Sequence, residues 1–338
     1  MKSLKLNRNH RILLFVIALI LLFVIILSIL VWGFSPEPMS KLVFTAMDTN
    51  VELKTSGENS SEYKDRVLEL DKMFNCYNTK SEIYELNKSM TATLSDETIE
   101  IINKAKELEK VYPECDITAG GLINLWDPSG TPRVPSEQEI AQALADVDIN
   151  NLTINGNTAT LSKGEINLGC CAKGYACDII KEMLDENNES YAIVSFGSSS
   201  LLYGKKPRGE SFNVGIKNPL EPDEEMGTLK VNECFISTSG SYERAFTVDD
   251  KEYSHIFNLK NGYPVETDLL SVTVIGKSGI ESDFVSTCIF MNGVAGLEYY
   301  LNLQDFQVIA IDKDQNVYIS NSIKNNFKIT NDSFSFAK

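Results

Sequence analysis

Ile12 to Trp32 runs for 21 residues without a charge, and Ser28 is its only clearly polar member. At about 1.5 Å of rise per residue, a helix of that length reaches roughly 30 Å, the thickness of a hydrocarbon core. Lys2, Lys5, Arg8 and Arg11 precede the run, and no acidic residue appears before Glu37. The positive-inside rule then keeps the N-terminus in the cytoplasm and sends the remainder outside. A cleaved signal peptide is the alternative, but its apolar region would span about 7–15 residues and end at a small-residue site, which fits this run poorly. No Cys lies near the end of the run, which argues against a lipoprotein anchor. The expected organisation is a cytoplasmic tail (1–11), an uncleaved transmembrane signal anchor (12–33), a Pro-containing linker (34–41) and one domain (42–338). That domain is expected on the extracytoplasmic side of the cell membrane.

About 300 residues follow the run, enough for a substantial core. Four of the 31 Lys and Arg belong to the tail, so 27 stand against 47 Asp and Glu in the rest, a balance of −20. Such a surface repels nucleic acid and offers it no basic stripe. The seven cysteines, Cys76, Cys115, Cys170, Cys171, Cys177, Cys234 and Cys288, form an odd set without a CxxC spacing. They read as small apolar core residues and not as a disulfide framework. The histidines are His10, in the tail, and His255. A multi-histidine zinc site is thereby excluded, and any metal must take oxygen ligands.

Leu42 to Leu53 alternates and carries β-branched residues, which predicts a strand. Helical spacing predicts helices over Glu62–Phe74, over Ser95–Val111 behind a capping Ser95, and from the cap Ser136 through Ala145. From Tyr191 onward short β-like runs dominate: Tyr191–Phe196, Phe212–Ile216, Cys234–Ser237, Tyr253–Phe257, Leu270–Ile275, Gln307–Ile311 and Asn316–Ile319. Two helices, Ile280–Met291 and Val294–Leu301, interrupt them. Strands and helices do not alternate strictly, so the fold class is α+β rather than a doubly wound sheet.

Five polar or Gly-rich patches interrupt this pattern. Met73 to Ser81 leaves one helix and starts another at Ser81. Cys115 to Trp126 contains Gly120-Gly121, which permits close backbone approach, if only to a neighbouring segment. Ile166 to Asp178 carries Lys173 inside a small-residue run; Gly169 marks a loop entering a helix whose free N–H groups could face a phosphate. Ser237 to Tyr242 sets Ser and Thr hydroxyls and a Gly in one turn, followed by Ser254-His255-Ile256 and Gly262-Tyr263-Pro264. On a helix, Asp283 and Thr287 are i and i+4, so a carboxylate and a hydroxyl share one face, both hard donors suited to Mg²⁺. Singly, each patch is equally consistent with capping, a turn or a solvated lysine.

Taken in order, the patches resemble the ApbE family, the FAD:protein FMN transferases, from Met47 to the C-terminal strands. Met47-Asp-Thr is similar to that family's opening segment, and Asn75–Ser81 to its Tyr- and Ser-containing loop. Asp116-Ile-Thr-Ala-Gly-Gly-Leu-Ile-Asn-Leu-Trp126 resembles Asp-x-Thr-x-Gly-x-Leu-x-x-Leu-Trp, and Leu168 to Asp178 resembles Leu-Gly-x-x-Ala-Lys-Gly-x-x-x-Asp. Thr238-Ser-Gly-x-Tyr242, Ser254-His-Ile and Gly262-Tyr-Pro264 match later signatures, and Asp283…Thr287 matches the family's metal motif. Phe196-Gly-Ser-Ser stands where the family has Gly-Gly, Asn167 where Asp is common, and Ser282 where Ala precedes the metal Asp.

The resemblance implies an ApbE-type α+β transferase domain behind the single N-terminal helix, with FAD as substrate and Mg²⁺ as cofactor. It places Met47, Tyr77, Asp116, Lys173, Thr238 and His255 against FAD. It gives the metal the side chains of Asp283 and Thr287 and the backbone carbonyl of Cys170. Asp283 and His255 become the candidate catalytic residues. The reaction implied is transfer of FMN to a Ser or Thr hydroxyl of an exported or membrane redox protein, with release of AMP. An FAD pyrophosphatase and a non-catalytic FAD-binding surface protein remain the alternatives.

Overall fold

The computed structural model describes residues 15–17, 19–24, 39–128, 130–242 and 245–337. The expected cytoplasmic tail, much of the expected anchor and the linker through Pro38 lie outside them; Phe15–Ile17 and Leu19–Val24 are helical and exposed. Among the described residues, no helix is long and apolar enough to cross a membrane. The account below concerns the unit Met39–Lys338.

Its centre is a nine-stranded sheet, counted among the described residues. The strands are β1 (Ser40–Ala46), β2 (Thr49–Thr55), β3 (Tyr191–Ser195), β4 (Ser199–Gly204), β5 (Cys234–Gly240), β6 (Leu269–Gly276), β7 (Gln307–Asp312), β8 (Asn316–Ile319) and β9 (Ser335–Phe336). They lie side by side in chain order. Every neighbouring pair is antiparallel except β8 and β9, which are parallel. The predicted single strand Leu42–Leu53 is therefore two. Met47 and Asp48 take left-handed conformations (φ 50° and 55°) and turn the chain between β1 and β2. Short polar Asp tolerates that conformation, and Asp-Thr-Asn was the turn signal within the run.

Side-chain alternation divides the sheet into two buried faces. Leu201, Phe235, Val274, Val308 and Ala310 join one core, with Tyr63, Val67, Tyr175, Ile180, Phe284 and Cys288 of the covering helices. Their neighbours Leu202, Ile236, Ile275, Ile309 and Ile311 face the opposite way, into a second core. That second core is closed by a three-stranded layer of Phe212–Lys217, Glu225–Val231 and Phe327–Ile329. The covering helices are α1 (Ser60–Phe74), α2 (Glu82–Ser89), α3 (Asp96–Val111), α6 (Ala172–Glu186) and α7 (Gly279–Leu301), while α4 (Gly120–Trp126) and α5 (Glu137–Leu144) bury Leu122, Trp126 and Ile140 in a separate cluster. Ser81, Ser95 and Ser136 cap α2, α3 and α5 as the sequence predicts, Ser136 within a reciprocal capping box with Glu139. The two helices expected over 280–301 share one element that Gly293 interrupts (φ 66°, ψ −170°).

The α+β expectation holds, but several strands were missed. Ser199–Gly204 and Glu225–Val231 escaped because their alternation is broken by Ser, Gly and Lys. The small sheet of Thr91–Thr93, Leu152–Asn155 and Thr158–Leu161 turns at Asn155-Gly156-Asn157, an available hairpin signal. Tyr253–Phe257, expected as one strand, is split between the ends of two hairpins, 246–253 and 257–264.

Candidate active site

Helices α6 and α7 begin against one another. A Cβ on Gly174 would lie 2.1 Å from the Gly279 carbonyl oxygen, and one on Gly279 would lie 2.2 Å from that of Gly174. Only two glycines allow this approach. Asp178, one turn along α6, accepts from the backbone N–H groups of Gly279 (2.7 Å) and Ile280 (2.8 Å), and so holds the start of α7. The crossing brings the loop before α6 and the first two turns of α7 onto one wall of a cavity of about 270 Å³.

All nine residues that the resemblance assigns to FAD, metal or catalysis line that cavity: Met47, Tyr77, Asp116, Cys170, Lys173, Thr238, His255, Asp283 and Thr287. Met47 comes from the β1–β2 turn, Tyr77 from the α1–α2 loop, and Lys173 from the first turn of α6. His255 sits between the two short hairpins. The charged end is the buried one. Asp283 is 5% exposed; its Oδ2 accepts from Gly174 N–H at 2.9 Å and its Oδ1 from the Ser199 hydroxyl at 3.0 Å. Burial raises its pKa, and the Lys173 ammonium opposes that rise. Thr287 Oγ1 lies 3.1 Å from the hydroxyl of Ser239, which also meets Ser286 at 2.8 Å.

Asp116 folds into a tight turn, its Oδ1 accepting from both the N–H and the hydroxyl of Thr118 at 2.7 Å. Burial raises its pKa, and burial together with the Asp116 charge pushes Glu109 on α3 up to about 8. Glu109 therefore keeps its proton to higher pH than an ordinary carboxylate does, beside a second carboxyl, Asp116, whose pKa is also raised.

The expected open N–H groups at the start of α6 are only partly available. Ala172 N–H donates to the Leu168 carbonyl and Gly174 N–H to Asp283. The close approach expected at Gly120-Gly121 is to the backbone of Glu165, whose carbonyl accepts from Gly120 N–H at 2.8 Å. Thr238 borders the cavity from the far face of β5, where its hydroxyl is 2.9 Å from that of Thr273. Sequence reasoning gave Ser199 and Ser239 no role of their own, although they hold Asp283 and Thr287. The period-2 pattern of β5 could have found Ser239, since Ser237 and Ser239 face the helices while Thr238 does not. It also missed the apolar side, where Ile123, Phe257, Leu259 and Met291 line the same space.

Asp283, Thr287 and Cys170 all line the cavity, and the two side chains with the Cys170 carbonyl would make a sparse set of hard oxygen donors. One carboxylate and two neutral oxygens suit Mg²⁺, which keeps several waters and takes substrate phosphates as its remaining ligands. The donor chemistry thus fits a cation shared with a phosphate-bearing substrate.

Comparison with known proteins gives the family and the fold. The profile of the ApbE family matches residues 47–310. A FAD:protein FMN transferase of Haemophilus influenzae is 27% identical over 255 residues, which cover 71% of this chain and 74% of that protein. One from Buchnera aphidicola is 31% identical over 231 residues, covering 64% and 67%. Among solved structures, the ApbE protein of Thermotoga maritima superposes with a TM-score of 0.80 at 23% identity, covering 86% of this chain and 99% of that one. The flavin transferase ApbE of Vibrio cholerae gives 0.76 at 24%, covering 86% and 100%. The structural likeness shows the α+β fold.

Proposed function

The chain belongs to the ApbE family and is an FAD:protein FMN transferase; from that premise we propose that it moves FMN from FAD to a Ser or Thr hydroxyl of an exported or membrane protein in an Mg²⁺-dependent reaction. The carrying observation is that residues from Met47 to Thr287, chosen for this chemistry, line one cavity. Met47, Tyr77, Asp116, Lys173, Thr238 and His255 are the proposed contacts for FAD. Asp283, Thr287 and the Cys170 carbonyl would hold Mg²⁺. When bound, the ion supplies neutralisation of pyrophosphate charge.

The chain's own residues do the positioning. Lys173 sets a cation beside the buried Asp283, at the end of the cavity suited to phosphates. The acceptor hydroxyl attacks the FMN-side phosphorus, the bond to the AMP oxygen breaks, and AMP leaves. The hydroxyl proton passes to Asp283 or His255, two titratable groups on the cavity wall. The apolar run Ile12–Trp32 supports an acceptor on the outer face of the membrane.

Incubation of the chain with FAD, Mg²⁺ and the exported flavin-binding proteins of its host tests this reading. Mass spectrometry should show an acceptor heavier by FMN less water, with AMP formed in equal amount and the adduct lost when one hydroxyl is removed. Release of free FMN without any modified protein would make the enzyme an FAD pyrophosphatase. In intact cells producing the chain, adducts found only on cytoplasmic proteins would overturn the outer-face assignment.

A further inference from the structure

Across Ser198 and Thr238, which line both, the main cavity adjoins a second groove of about 110 Å³. Its floor is the outer face of the sheet, at Ser200 of β4, Thr238 of β5, and Ser271 and Thr273 of β6. These hydroxyl side chains occupy the face that, further along the same strands, carries Leu202, Ile236 and Ile275 into the second core. Its wall is Val214 to Lys217, within the strand Phe212–Lys217. That strand is the edge of the three-stranded layer: it pairs with Glu225–Val231 on one side and, among the described residues, with no strand on the other. No backbone hydrogen bond to its outer edge is made by the described residues. Alternate N–H and C=O groups there stand ready for an added strand, beside a polar floor that leads to the cavity.

We propose that the acceptor protein docks its hydroxyl-bearing segment here, as a strand added along Phe212–Lys217. The segment then passes its Ser or Thr over Ser198 and Thr238 into the main cavity. This rests on the transferase reading. The groove opens onto the cavity through Ser198 and Thr238 and is walled by a strand edge that no described strand covers, which suits a stretch of polypeptide. Backbone pairing supplies affinity whatever the flanking side chains, while Val214 and the exposed Lys217 provide side-chain selection. A second copy of this chain, paired edge to edge, is the competing occupant.

The test uses the full chain and, as probe, a synthetic peptide spanning the residue that carries the FMN adduct in the acceptor. Val214→Tyr narrows the groove and Lys217→Glu reverses the charge at its mouth. Each should raise KM for the acceptor by about tenfold or more, the scale of an interface hot spot, while FAD affinity, read from flavin fluorescence, holds. Hydrogen exchange on the unmutated chain should show amides of 212–217 becoming protected when the peptide is added, a readout that needs no variant to fold. If the wild type transfers FMN but acceptor KM and exchange do not move, the docking site is wrong and the transferase reading stands. Concentration-dependent protection of the edge without peptide assigns it to a second copy and overturns the proposal. If the wild type modifies no acceptor at all, both fall together.

Discussion

The two walls of the cavity are built in opposite ways. The α6–α7 wall is an extension of the main core: Asp283 is 5% exposed, its carboxylate oxygens are held by a backbone N–H and a buried hydroxyl, and Gly174 and Gly279 lock the two helices together. The opposite wall, with His255 and Phe257, rests on a separate satellite cluster. There Trp126 is fully buried among Phe246, Tyr253, Phe257 and Tyr263, with ring centroids 5.7 to 6.4 Å away, and its Nε1 donates to the Gly262 carbonyl at 3.1 Å. One wall fixes charge in a frame with little freedom; the other presents aromatic and imidazole groups on short hairpins. Bond breaking needs the first kind of support, since electrostatic stabilisation depends on groups that do not reorganise. Admission of a large planar ring tolerates the second.

The sharpest way to break this contrast is Asp283→Ala. Transfer should fall by at least about 10³-fold, the scale of a lost preorganised electrostatic group, and added Mg²⁺ should not restore it. Stability should change little in a thermal melt, because losing two hydrogen bonds is offset by no longer burying a carboxylate. Full activity in the variant with a chelator present would remove Asp283 from the chemistry.

Trp126→Ala attacks the other wall. Emptying a buried Trp site costs about 3–5 kcal/mol locally, and the damage should stay with the hairpins. KM for FAD should rise roughly 10- to 100-fold, with kcat reduced far less, as expected when a binding surface rather than a transition-state contact is lost. A collapse of kcat at unchanged KM would mean that the walls are not separable.

The smallest effect tests the border between the two regions, at Glu109 and Asp116. Glu109 has its pKa raised to about 8 in the fold, above the 4.5 of an ordinary glutamate. The folded state therefore binds a proton that the unfolded chain releases. That contribution is complete below about pH 4.5 and is lost as pH rises through about 8. Glu109→Gln should remove this dependence, so the variant melts at a temperature similar to wild type at pH 5 and a few degrees above it at pH 8. Parallel melting curves across that range would show that Glu109 is ionised in the fold.

What the sequence made legible follows the same division. Asp283 and Thr287 were visible because helical periodicity alone sets them on one face, and Lys173 because Gly169 marks the loop before its helix. The order of the patches, matched to a family, supplied Met47, Tyr77 and His255, which no local pattern would join. Ser199 and Ser239 were given no role of their own: their importance lies in contacts to α7 across 84 and 48 residues of chain. Nor was the role of Gly174, since a single glycine in a small-residue helix gives no sign of the helix it will meet. The turn at Met47-Asp48 was hidden because apolar and β-branched residues flank it on both sides.

The sheet's plain order, first strand to ninth from one edge to the other, also bears on how the molecule comes into being. A chain emerging from the ribosome presents its strands in the sequence in which they will lie, so each new one finds its neighbour already made. The longest excursion, between β2 and β3, holds α1 to α6 and the small sheet of Thr91–Thr93, Leu152–Asn155 and Thr158–Leu161. Yet Asp283 and Thr287 arrive only with α7, after six of the nine strands. A nascent chain can thus assemble most of its scaffold while still lacking the residues proposed to grip the metal and phosphates.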